Sequence, residues 1–278
     1  MYKRLQITEQ HPCFSERAHL KYGRVHLPVA PLCNMVCRFC TRGIGKTEKR
    51  PGACSEVLTP TLALDRVRAI VKKYDYVTTI GIAGPGDPLA NVETFETLKL
   101  ANEEFPSLIK CICTNGLVLP GCIKLLKDVN LSALTVTINA IDPEIGSQII
   151  GWVWHKGEKI RGEKGSSILI NNQLAGIQKA VEAGIITKVN TVLIPDINSS
   201  HVVDIAKRCS ELGVTIMNVT PLIPRHKFKI KKAPSLELLA NVRAKCERYI
   251  KQFRCCVQCR ADACGIPAFD QGRSCYEK

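Results

Sequence analysis

No stretch of the 278-residue chain approaches the roughly 18 to 20 consecutive apolar residues of a membrane-spanning helix. The N-terminus, MYKRLQITEQHPCFSE, lacks the apolar core of a secretory signal. Both absences argue for a cytoplasmic protein and against a membrane partner. Aromatic residues make up only 5% of the chain, too few for a surface that stacks many bases, so no nucleic-acid partner is expected. No fixed-period repeat and no low-complexity segment interrupts the sequence, which excludes a repeat array.

What is present is apolar mass, positive charge and cysteine. Apolar residues account for 45%, enough for a substantial core and far more than a disordered chain carries. Lys and Arg number 39 against 25 Asp and Glu, a net charge of +14 that suits anionic ligands such as thiolate-held iron–sulfur clusters. Fifteen cysteines in a secreted protein would suggest a disulfide framework, but such frameworks belong to short, loop-rich domains. Here the cysteines sit among long apolar-periodic segments, and close clusters in that setting read as metal ligands or reactive thiols.

Strand and helix patterns alternate. RVHLPVA (24–30), TTIGIAG (78–84), SLIKCICT (107–114), ALTVTIN (133–139), ITKVNTVLI (186–194) and VTIMNVTPL (214–222) read as strands. Helical periodicity marks 59–74, 91–104, 118–129, 166–183, 199–212 and 235–252. Residues 142–165, with both tryptophans, break the rhythm and read as an inserted excursion. Six β–α units predict an α/β fold, a partial (β/α)6 TIM-like barrel over residues 24–252. An N-terminal arm (1–23) precedes it, and a Cys-rich tail (253–278) follows. In such folds the chemistry gathers at the C-terminal ends of the strands.

The sharpest motif, Cys33-Asn-Met-Val-Cys37-Arg-Phe-Cys40, follows the first strand. Three thiolates at this spacing can grip three corners of a 4Fe–4S cubane and leave the fourth iron open, whereas a structural zinc site wants a fourth protein ligand. The motif resembles that of the radical S-adenosylmethionine (SAM) superfamily. The resemblance implies that the open iron binds SAM and that an electron splits it to a 5′-deoxyadenosyl radical, with Cys33, Cys37 and Cys40 as the catalytic metal ligands. It also implies SAM contacts from Gly84, Gly86 and Asp87 in the Gly-Pro-Gly-Asp-Pro turn, from Thr114, Asn115 and Asn139, and from Lys188 with Asn190.

Longer blocks narrow the resemblance. His11-Pro-Cys13-Phe-Ser-Glu16 with Ala18-His19, Arg50-Pro-Gly52, Gly81 through Asn91, Thr114-Asn-Gly116, Asp142 through Gly146, Lys188-Val-Asn190 and Cys256-Val-Gln-Cys259-Arg-Ala-Asp-Ala263 are similar to the NifB family of nitrogenase-cofactor maturases. They look like its stand-alone form, without an appended cofactor-carrier domain. That family likeness implies two further 4Fe–4S clusters as substrates, fused around a carbon from a SAM methyl group into an eight-iron carbide cluster. It implies a cluster donor, a cofactor carrier or scaffold and an electron donor such as a ferredoxin as partners. Cys13, His19, Cys111, Cys256 and Cys259 are the implied ligands of the substrate clusters, with Cys13 and His19 sharing one. His11 reads as an arm residue and His26 as a structural one. Cys113, Cys122, Cys209, Cys246, Cys255, Cys264 and Cys275 read as packing.

One departure stands out. The family carries a further Cys between the three-Cys motif and Arg-Pro-Gly, but here residues 41–50 contain none. Two cubanes with three ligands each need six donors, and five positions match. Cys54 is the replacement candidate, with Glu48 or Glu56 as oxygen alternatives. Two other functions fit part of the pattern: a molybdopterin-type radical SAM cyclase acting on a purine nucleotide, and a zinc-ribbon nucleic-acid-binding protein. The His-Pro-Cys arm argues against the first, and the β–α rhythm against the second.

Overall fold

In the computed structural model, which describes residues 7–274, the strands of all six expected β–α units form and lie side by side in chain order. The strands are β1 (Gly23–His26), β2 (Met35–Cys37), β3 (Gly43–Ile44), β4 (Ala53–Cys54), β5 (Val77–Ile82), β6 (Ile109–Thr114), β7 (Ala133–Thr137), β8 (Ile150–His155), β9 (Glu158–Ile160), β10 (Ile186–Leu193), β11 (Ile216–Pro221) and β12 (Cys264–Gly265). The principal helices are α1 (Glu16–Lys21), α2 (Pro60–Lys73), α3 (Val92–Glu104), α4 (Leu119–Asp128), α5 (Pro143–Ile149), α6 (Gly162–Glu182), α7 (Val202–Glu211) and α8 (Leu236–Glu247).

Strands β1, β5, β6, β7, β10 and β11 are parallel, and β12 adds to the free edge of β1 in the opposite sense. Parallel strands covered by helices bury both faces. Val25, Ile80, Ile112, Val136, Val189 and Val219 belong to one continuous core with apolar residues of the helices. The helices start where their caps stand. Thr59 accepts the Leu62 N–H ahead of Pro60, and Ser235 accepts that of Leu238. The result is the partial (β/α)6 barrel expected for the chain. Among the described residues no helix is long and apolar enough to cross a membrane.

Both ends of the chain seal the bottom of this half-barrel. Phe14 of the arm packs with Ala133, Ile186 and Ile216, at the N-terminal ends of β7, β10 and β11, and with Phe253 of the tail. The tail leaves α8 by pairing with β11, where Met217 N donates to Lys251 O and Phe253 N to Met217 O. It then crosses the barrel opening and pairs with β1 as β12. Cys256 and Cys259 are carried across in this way. Cys275 lies outside the described residues.

Residues 142–165 differ from the plain insertion expected. Asp142 caps α5 by accepting the Glu144 and Ile145 N–H groups, and β8–β9 forms a hairpin whose first strand pairs with β2. Helix α6 begins at Gly162, four residues before the periodicity suggested.

Candidate functional site

Between the strand ends above and the arm and tail below lies one cavity, lined by Cys33, Cys37 and Cys40 and by Cys13, Cys111, Cys256 and Cys259. The three-Cys loop is held from several sides. Met35 sits opposite Val153 in the hairpin and packs on Leu117, Ile150, Val153 and Leu169. Trp154 N donates to Asn34 O, and Arg38 N to Ile149 O. Asn115 Nδ2 donates to Asn34 Oδ1 at 2.7 Å and lies 3.8 Å from Cys33 Sγ. The excursion that looked like an insertion is therefore the clasp of the cluster loop.

The Gly-Pro-Gly-Asp-Pro turn runs beneath this loop. Gly86 N donates to Ala30 O, and a Cβ on Gly86 would overlap the Leu32 carbonyl. Only glycine permits that approach. Asn91 accepts the Leu32 N–H and donates to Leu32 O and Asp87 O, tying the two segments together. Gly84, at φ +137°, stands behind the wall that Pro85, Gly86 and Asp87 form.

Asp87 is buried and its oxygens are occupied. They accept from Leu89 N, from Thr114 Oγ1 and from Asn115 N. Burial pushes its carboxyl up to about 6, and these hydrogen bonds limit the rise. Asp87 thus fixes the end of β6, while Thr114, Asn115, Asn139 and Asn190 present polar groups along the cavity wall. Asn139 also accepts the Val192 N–H, and Asn190 accepts from Asn218. Lys188 reaches down instead. Its Nζ donates to Cys13 O and lies over the Phe14 and Phe253 rings, which makes it the strut of the N-terminal arm.

At the lower end, Cys259 Sγ accepts from Arg24 Nη2 at 3.1 Å, and Arg24 is fully buried and ion-paired with Asp270. Cys111 faces the cavity beside His26. A Cβ placed on Gly81 would stand 2.8 Å from the His26 ring and 3.3 Å from Cys111 Sγ, so glycine keeps the space between them open. His26 Nδ1 lies 3.1 Å from Arg260 O, and a proton donated there leaves Nε2 as a free lone pair on the cavity side. Burial, then the Arg24 charge, holds its pKa down at about 4, so the ring is neutral. Burial pushes the thiols of Cys13 and Cys33 up to about 11, and raises Cys37, Cys40, Cys111 and Cys259 as well. Metal must displace those protons to bind. Among the described residues no three His, Cys, Asp or Glu side chains converge on a single-ion position. A cubane spreads its ligands over separate corners.

Two residues singled out from sequence lie away from this wall. His19 is buried on α1, with Nδ1 bonded to Pro12 O and its ring edge-on to Phe253, so it supports the arm. Cys54 is fully buried on β4, and the neighbouring Ser55 N donates to Asp262. Conversely, the cavity wall contains His26, His11 and Cys113, which were read as structural. Residue spacing hid them: His26 and Cys113 sit inside apolar strands whose inward face opens on a cavity only once the sheet curls.

Residues 27–209 match the model of the Radical SAM superfamily. The FeMo cofactor biosynthesis protein NifB of Methanocaldococcus jannaschii is 51% identical over 268 residues, covering 96% of this chain and 89% of that protein. The Methanocaldococcus infernus protein of the same name is 50% identical with similar coverage, and that of Klebsiella pneumoniae is 41% identical, with 95% of this chain spanning 58% of it. Among solved structures, SuiB of Streptococcus suis superposes with a TM-score of 0.60 at 15% identity, over 86% of this chain and 51% of that one. A radical SAM methyltransferase of Sphaerobacter thermophilus gives 0.58 at 19%, over 84% and 64%. The last two speak to the fold alone.

Proposed function

Because the chain belongs to the NifB family of radical SAM proteins, which act in FeMo cofactor biosynthesis, we propose that it fuses two 4Fe–4S substrate clusters around a carbon taken from a SAM methyl group. The observation that carries this reading is one cavity with two donor sets, Cys33, Cys37 and Cys40 above, and Cys13, His26, Cys111, Cys256 and Cys259 below. A single SAM-cleaving site needs only the upper set.

The residues suit the groups. Three upper thiols match a resident cubane with one open iron. When bound, that cluster supplies the electron that splits the SAM sulfonium to a 5′-deoxyadenosyl radical. Asn115, bonded to Asn34 and close to Cys33, ties the polar wall to the loop, and Thr114, Asn139 and Asn190 are offered to SAM. The Asp87 carboxylate holds Thr114 and Asn115 in place. Below, Gly81 leaves a gap in which His26 Nε2 and Cys111 Sγ face a common space, so the imidazole ligand of this reading is His26, and Cys13 joins the same set. A neutral imidazole among thiolates grips iron less tightly than a third thiolate, which suits a substrate that must leave. The buried cation of Arg24 beside Cys259 favours its thiolate form. Ile82, Ile112, Ile170 and Val192 give the same cavity apolar lining, which limits side reactions of a radical with water.

The reading brings with it a source of 4Fe–4S clusters, a carrier for the eight-iron product and a one-electron donor such as a ferredoxin. Its test is anaerobic reconstitution followed by incubation with SAM and a reductant. About twelve irons per chain, with both S-adenosylhomocysteine and 5′-deoxyadenosine formed, are expected for three cubanes. A protein that saturates at about four irons, or forms only one of the two products, would rule the reading out.

A further inference from the structure

The count of donors for the two substrate clusters is one short, since residues 41–50 hold no cysteine. The replacements suggested by sequence are engaged elsewhere. Cys54 is fully buried away from the cavity wall. Glu48 pairs with Arg50 and Arg225, and Glu56 with Arg66. Cys255, adjacent to Cys256, does not line the cavity either.

Cys113 does. Strand β6 alternates: Lys110, Ile112 and Thr114 are buried, while Cys111 and Cys113 are partly open and face the cavity. Residues two apart on one strand face are separated by about 6.6 Å, so these two thiols occupy different heights of the same wall. Cys111 sits at the level of Gly81 and His26, toward the arm. Cys113 sits one pleat nearer the strand end, next to Thr114, and lines the same cavity as Cys256 and Cys259. Cys111 stands beside His26, and Cys113 is the further thiol of this strand on the wall that also carries Cys256 and Cys259.

We propose that Cys113 supplies the thiolate missing from the 41–50 loop and completes, with Cys256 and Cys259, the site of the second substrate cluster. The proposal rests on the cluster-fusing reading above, and leaves Cys13, His26 and Cys111 to the first cluster. Each substrate cluster then has three protein donors, and none comes from the Cys-less loop 41–50. No other cysteine of the described chain both lines the cavity and lies outside those two sets and the SAM-cluster loop.

The test compares the full-length parent with Cys113→Ala, Cys113→Ser and Cys54→Ala after anaerobic loading with ferrous iron and sulfide. Iron and sulfide are counted, and the reduced proteins are examined by electron paramagnetic resonance with and without SAM. Expected is about twelve irons in the parent and in Cys54→Ala, and a loss of about four in Cys113→Ala. The SAM-responsive signal should persist in all of them. Cys113→Ser, nearly isosteric and able to keep the fold, should change the signal of a cluster that does not respond to SAM. Full iron in Cys113→Ala, an unchanged spectrum in Cys113→Ser, or a cluster lost from Cys54→Ala instead, would overturn the assignment. A parent that itself stops at four irons would fail the functional reading, not this one.

Discussion

His26 and Gly81 show how much one pair of residues decides. The strand places His26 on the cavity wall, the Arg260 carbonyl fixes its tautomer, and the absent Cβ of Gly81 opens the space it faces. His26→Ala should therefore lose about four irons and any nitrogen hyperfine coupling from the remaining spectrum, while His19→Ala should keep both, as pulsed paramagnetic resonance on the loaded proteins will check. Asp87 makes a separate point. Its folded pKa of about 6 lies above the ordinary carboxylate value, so its contribution to stability is full below about pH 4 and is lost as pH rises through 6. That difference between folded and unfolded chain corresponds to roughly 3 kcal/mol. Denaturant titrations of the metal-free protein should show that component in the parent and not in Asp87→Asn. The meeting of Cys33, Cys37 and Cys40 at one cavity was legible from spacing because a local loop delivers all three. The places of His26 and Cys113 on the cavity wall, and of His19 off it, were not legible, because each depends on which face of a strand or helix the curled sheet turns inward.

The β8–β9 hairpin and α6 together form the seat of the SAM-cluster loop. Leu169 of α6 packs beneath Met35 with Ile150 and Val153, and Cys33 and Cys37 lie against this group. Leu169→Ala should cost about 2–5 kcal/mol of stability and leave a cavity under the loop. The resident cluster should then be lost to a chelator faster than in the parent, which loss of visible absorbance will follow. This hairpin was invisible as such in the sequence. A three-residue β2 has no periodicity to detect, and its partner strands are recognised only by the antiparallel pairing they make with it. The six barrel strands and six outer helices were legible because each is long enough to repeat its pattern and is bounded by a Pro, Gly or Thr/Ser signal.

For the molecule as a whole, the fold is a half-barrel whose open bottom is closed by its own termini. Arg260, fully buried, donates to the carbonyls of Gly45 and Glu48 and to Asp262, tying the tail to the Cys-less loop 41–50. Burial alone would raise Asp262, but hydrogen bonds from Arg260 and Ser55 outweigh it and hold its carboxyl below the usual range. Asp262→Ala removes the carboxylate that pairs with Arg260 and should destabilise the protein by about 3–5 kcal/mol. Limited proteolysis should then cut between α8 and β12, releasing the segment with Cys256 and Cys259. The N-terminal arm, pinned by Lys188 over Phe14 and Phe253, brings Cys13 to the same chamber from the other end of the chain.

The most direct trial uses SAM with a fully deuterated methyl group, supplied to the anaerobically loaded protein with a reductant. Carbon transfer followed by hydrogen removal from that methyl group predicts S-adenosylhomocysteine together with 5′-deoxyadenosine that carries deuterium. 5′-Deoxyadenosine without deuterium, formed while the substrate clusters are in place, would contradict it.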